Sequence, residues 1–163
     1  IIVTLVFAVL VAISAFQTVT LQESAMEPTY SVSEKFFVNR ALYKVSSPKR
    51  GDVIVFKTSA SDSAALHIRR VIGLPGETVQ VKDGKIYING KVYEENGAYQ
   101  DMTDGGLANS AITLESGEYF VLGDNRNNSE DSRFSDIGNI SKKYIVGKVW
   151  FTVSPKNKIG FIK

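Results

Sequence analysis

HIRRVIGLPGETVQVKDGKIYING, residues 67–90, reads as three short strands joined by two tight turns. Ile68, Val71 and Ile72, then Val79 and Val81, then Ile86 and Ile88 put β-branched residues into runs of strand length. Between the first two runs, Leu74-Pro75-Gly76-Glu77 is a turn signature: Pro75 suits the second position and Gly76 supplies positive φ at the third. Asp83-Gly84 is a two-residue hairpin signal, and Asn89-Gly90 offers a second turn straight after it. Working outward, residues 36–39, 52–56, 117–122 and 144–153 have the same character. The expected fold class is mostly β, an antiparallel domain covering residues 22–163. Residues 94–110 are polar, aperiodic and rich in Asn-Gly and Asp-Gly-Gly, and are expected to form a variable surface insertion.

The chain has 163 residues, 44% of them hydrophobic and 22% charged, with 4 Pro, so one folded domain is expected rather than a disordered or collagen-like chain. A net charge of +2 and the lack of a long Lys/Arg run argue against nucleic acid as a partner. With no Cys and a single His, disulfides, thiol nucleophiles and His- or Cys-rich metal sites are excluded.

Residues 1–21 carry no charged side chain, and IIVTLVFAVLVAISAF is apolar on every helical face apart from Thr4 and Ser14. A helix crossing the hydrocarbon needs about 20 such residues, so residues 1–21 are expected to form a single membrane anchor in contact with the lipid bilayer. Ala12-Ile13-Ser14-Ala15 also offers small residues for a cleavage site, so a cleavable secretory signal is a rival reading and a buried core helix a third. Because the chain opens on Ile1, the anchor is expected to be truncated at its N-terminus, without the Lys/Arg flank that would fix its topology.

Three polar or glycine-bearing segments stand apart from plain strand. In Glu23-Ser24-Ala25-Met26-Glu27-Pro28-Thr29, Pro28 fixes its own φ and biases Glu27 towards extended geometry, which holds the Ser-Ala-Met stretch in a defined shape. In the second segment, adjacent Arg69 and Arg70 must point to opposite faces of a strand, and an arginine pointing inward needs a partner. In the third, the apolar run 119–122 leads into Gly123-Asp124-Asn125-Arg126-Asn127-Asn128-Ser129-Glu130-Asp131-Ser132-Arg133. That is either a solvated turn or a buried hydrogen-bond network scaffolding a site. Its Asp/Asn spacing lacks the glycine and terminal Glu of a calcium loop and includes Arg126, so no metal is expected.

Together the segments resemble type I signal peptidases, the membrane-bound Ser–Lys serine proteases that remove signal peptides from exported proteins. The likeness rests on Met26-Glu27-Pro28-Thr29, on Arg-Gly-Asp-Val at Arg50, Gly51, Asp52 and Val53, on the Arg69 to Glu77 strand-turn, and on Gly123 to Arg133 without a gap. These occur in family order and span most of the chain. The resemblance implies a β-rich fold of Gram-positive type with a shallow hydrophobic groove, held on the extracytoplasmic side of the cell membrane by a single-pass anchor. It implies signal peptides as partners and no cofactor.

Two positions depart from the family. Ala25 stands where the nucleophile is expected, and a methyl group cannot attack a carbonyl. Arg69 stands at the general-base position, and its guanidinium cannot give up its proton to serve as a base. Ser24 is a substitute nucleophile only if Ala25 counts as an insertion, and in an extended segment the two side chains project to opposite sides. His67 lies on the same strand face as Arg69 and is the reserve base. Met26, Pro28, Arg70, Asp124, Asp131, Ser132 and Arg133 are expected to support the site. With both dyad members changed, the chain resembles the signal-peptidase-like proteins of Gram-positive pilus gene clusters. The expectation is a catalytically silent protein that recognises signal peptides or pilin precursors, with a non-catalytic assembly or chaperone-like factor for pilus formation as the alternative. An unrelated secreted β binding module would make the four ordered matches a coincidence.

Overall fold

The computed structural model describes residues 1–162. It begins with helix α1 (Ile2–Ala15) and continues through twelve strands: β1 (Phe16–Thr20), β2 (Lys35–Asn39), β3 (Val53–Phe56), β4 (His67–Gly73), β5 (Thr78–Lys82), β6 (Lys85–Ile88), β7 (Lys91–Val92), β8 (Ile112–Thr113), β9 (Glu118–Leu122), β10 (Ile140–Ser141), β11 (Ile145–Ser154) and β12 (Gly160–Phe161). A short helix α2 (Leu42–Val45) follows β2. The mostly β, antiparallel expectation holds.

The larger sheet runs β1-β2-β11-β3-β4-β9-β10, with β12 added to β11, and the smaller runs β7-β6-β5-β8. Val53, Ile54, Val55 and Phe56 are all buried because β3 is central and covered on both faces, which is why its sequence is a continuous apolar run. Val53 and Val55 pack with Met26, Tyr30, Phe36 and Ile68 on one side. Ile54 and Phe56 pack with Val71, Tyr119, Val121 and Ile140 on the other. A third cluster, around Val79, Val81, Ile86 and Phe120, closes the smaller sheet onto the larger.

Three expectations are corrected. The helix ends at Ala15 rather than running to residue 21, because Phe16-Gln17-Thr18-Val19-Thr20 pairs with β2, Phe16 opposite Asn39 and Thr20 opposite Lys35. Consequently no helix among the described residues is long and apolar enough to cross a membrane, and the β domain starts at residue 16, not 22. Residues 94–110 are not simply a surface loop: Met102 and Ala108 are buried in the core of the smaller sheet, and the Leu107 N–H donates to the Arg133 carbonyl. Finally, Ser24–Met26 is a 3-10 turn rather than extended chain.

Candidate functional site

Where β9 stops at Leu122, β4 continues past it. The β4–β9 register begins at Arg70 opposite Leu122, so residues 67–69 pair with β3 alone. Two other segments fill the vacated space: the Ser24–Met26 turn and the loop after Gly123. The Asn125 N–H donates to the Ala25 carbonyl (2.9 Å) and the Asn125 side-chain amide to the Ser24 carbonyl (3.1 Å). Gly123 is needed for this approach, since a Cβ there would lie 2.1 Å from the Ser129 hydroxyl and 2.5 Å from the Ala25 carbonyl oxygen.

Beside the turn lies a cleft of about 560 Å³ lined by Glu23, Ser24, Ala25, Arg69 and residues 127–130 of the loop. Ala25, which is buried, and Arg69 thus line one and the same cleft. Ser24, expected to point away from Ala25, instead lines the same cleft, where its hydroxyl accepts a hydrogen bond from Asn128 (3.2 Å). Ser129 also faces the cleft, and its buried hydroxyl has no hydrogen-bond partner among the described residues.

Arg69 is 1% exposed and held on three sides: Nε to the Glu130 carbonyl (2.8 Å), Nη1 to the Ile68 carbonyl (2.7 Å) and Nη2 to Glu23 (2.5 Å). His67 Nδ1 meets the other Glu23 oxygen at 2.8 Å, so one carboxylate spans both side chains of the β4 face. Burial opposes ionisation of Glu23. The hydrogen bond with His67 and the charge and hydrogen bond of Arg69 outweigh it, holding the carboxyl at about 2. An inward arginine was expected to find a partner; what the sequence left open was that Glu23, only two residues before Ala25, supplies it.

Arg70 faces the other side yet is also buried, because β4 is covered on both faces. Its Nε and Nη2 bind both oxygens of Asp124 (2.9 and 2.7 Å), and Nη1 reaches the Gly51 carbonyl (3.0 Å). Asp131 receives Arg133 through both oxygens (2.8 and 2.9 Å) and the Gly123 N–H (3.1 Å), which fixes the loop. Ser132 Oγ accepts from the Val121 N–H (2.9 Å). Met26 is wholly buried beneath the turn and Pro28 lies beyond it, exposed, after a cis peptide bond. Sequence reasoning missed Arg126, which is fully buried, binds both oxygens of Glu95 and lies 4.2 Å from the Tyr99 ring centroid. No local pattern signals the pair, since Glu95 and Arg126 are 31 residues apart. Among the described residues no group of three or more His, Asp or Glu is arranged to hold a metal.

The profile described as signal peptidase, peptidase S26, matches residues 1–154. A signal peptidase I of Bacillus licheniformis is 34% identical over 166 residues, covering 98% of this chain and 88% of its own length. One from Leptolyngbya laminosa is 39% identical over 142 residues, covering 83% of this chain and 68% of its own length. A crystal structure of a signal peptidase I from Enterococcus faecalis, 32% identical, superposes with a TM-score of 0.52 over 64% of this chain and 98% of that one. Fold and matches together define a hydrolase scaffold of the serine-protease class. The chain belongs to the signal peptidase family, peptidase S26.

Proposed function

We propose that this protein recognises signal peptides or pilin precursors at a membrane surface and, as the sequence stands, does not cleave them. One observation carries the reading: the cleft is built, but its two chemical positions hold a methyl group, Ala25, and a guanidinium, Arg69, pinned by Glu23. An active relative needs a serine oxygen to attack the carbonyl, a neutral amine to take its proton and an N–H for the oxyanion. Here a carboxylate, Glu23, lines the cleft instead and opposes the build-up of negative charge. The open cleft beside the Ser24–Met26 turn and residues 127–130 suits an extended peptide laid along it. The same features serve a non-catalytic pilus assembly factor, because binding in a cleft needs no nucleophile.

Membrane attachment is part of the proposal. Of the apolar α1 residues none is buried, and its two hydroxyls, Thr4 and Ser14, bond back to helix carbonyls. At its end, Phe16 stacks on the exposed Trp150, with ring centroids 5.3 Å apart, an arrangement suited to a membrane–water interface.

The test is incubation of a pilin precursor bearing its signal peptide with the detergent-solubilised chain and its variants. The chain as it stands binds without cleaving, and Ala25→Ser alone stays inactive because Arg69 cannot accept a proton. A lysine at 69 beside Glu23 would remain charged, so cleavage returns only when Ala25→Ser and Arg69→Lys are combined with Glu23→Ala. Cleavage by the unaltered chain, or by Ala25→Ser alone, overturns the silent reading and makes His67 the next residue to change. Absence of precursor binding overturns recognition.

A further inference from the structure

A second cleft, of about 660 Å³, opens beside α2, between the end of β2 and the start of β11, away from Ala25. Five cations line it, Arg40, Lys44, Lys57, Lys142 and Lys143, and no carboxylate does. Among the described residues none of the five forms an ion pair. Lys57 and Lys142 are anchored to backbone carbonyls, of Ser61 and Asp62 and of Ser46, which holds their charges in place without neutralising them. The carboxylate behind the wall, Asp52, is occupied by the Tyr43 hydroxyl (2.8 Å) and by Lys148 (2.6 Å). Five uncompensated cations around one concavity are a field for an anion.

The position of the cleft identifies the anion. Arg40 donates its backbone N–H to the carbonyl of Ala15, the last residue of α1, so the cleft rim begins where the apolar helix ends. Tyr43 and Tyr144, each with an apolar ring and a polar tip, also line it. We propose that this cleft binds the headgroup of an anionic phospholipid, a site separate from the peptide cleft, which rests on the reading that α1 lies in the membrane. Cations at that depth meet phosphate, while the helix alongside meets acyl chains.

The experiment uses the full chain in a neutral detergent, titrated with short-chain phosphatidylglycerol, short-chain phosphatidylcholine or inorganic phosphate and followed by calorimetry. Phosphatidylglycerol is expected to bind at least about tenfold tighter than either of the others, with an affinity that falls as salt is added. Arg40→Gln combined with Lys44→Gln, two exposed side chains with no described polar side-chain contact, lowers that affinity about tenfold and leaves the thermal midpoint unchanged. Equal binding of the two lipids, or an indifferent double variant, overturns the proposal. Inorganic phosphate binding as tightly as the lipid also overturns it, in favour of a small-anion site. Flotation with pure phosphatidylcholine vesicles tests α1 independently: a chain that fails to float refutes the membrane reading, whatever the titration gives.

Discussion

Glu23 faces two partners of unlike kind, an arginine that is always charged and a histidine. Because its folded pKa, about 2, lies below the ordinary 4.5, its stabilising contribution is fully present above roughly pH 4.5. That contribution is lost as the pH falls towards 2. Urea unfolding between pH 2 and 5 should therefore show a steeper loss of stability in the unaltered chain than in Glu23→Gln. At neutral pH the variant should be less stable by about 2 kcal/mol, since it strands a buried guanidinium whose carboxylate partner was one-third exposed. A Glu23→Gln protein as stable as the parent at pH 7 would mean that Arg69 is satisfied by the Ile68 and Glu130 carbonyls alone. Ser129→Ala should behave oppositely, changing stability by less than about 0.5 kcal/mol, because the hydroxyl it removes has no partner to lose. At this scale the sequence was most informative about place: that Ala25 and Arg69 share one site was legible because neighbouring residues fixed the register of each motif. The identity of the carboxylate beside Arg69 was not, because Glu23 and Arg69 are 46 residues apart and no local pattern couples them.

The seven strands of four or more residues between 35 and 154 were legible because β-branched runs and Gly-bearing turns mark both their middles and their ends. Strand β1 was not. Hydropathy treats residues 1–21 as one apolar block, and only the β-branched run Thr18-Val19-Thr20, met by a partner in β2, turns the chain out of helix after Ala15. The two-residue strands β7, β8, β10 and β12 are too short to carry any period and exist because a longer neighbour offers an edge. The loop after β9 is defined by close packing rather than by pattern, which gives a direct test. Gly123→Ala forces a methyl group against the Ser129 hydroxyl and the Ala25 carbonyl, and should cost about 1–3 kcal/mol in denaturant unfolding. It should also weaken precursor binding, because the Ser24–Met26 turn must shift to make room. A variant with parental stability and binding would show that the loop yields instead.

At the scale of the molecule, a single domain was legible from length and composition, but the joining of its two sheets was not. That junction depends on Gly73, whose Cβ would lie 2.5 Å from Val79 and 2.9 Å from Phe120, and on Met102 and Ala108 from a stretch that reads as solvated loop. Helix α1 contributes no buried residue, so deleting residues 1–15 should leave the thermal midpoint of the remaining domain within a few degrees while abolishing association with pure phosphatidylcholine vesicles. A large fall in the midpoint would show that α1 is part of the fold. The strand order has a consequence for biosynthesis. Strands β1 and β2 connect to the rest of the larger sheet only through β11, and the Ser24–Met26 turn is tied to Asn125 and Asn128, more than 100 residues later. A ribosome therefore releases the first quarter of the chain long before its later partners exist: β2 can pair with β1 but not with β11 until residue 154 has emerged, and the turn waits for Asn125 and Asn128. The cleft is completed only when the loop after β9 has emerged, and a nascent chain still short of that loop has no such cleft with which to capture a precursor.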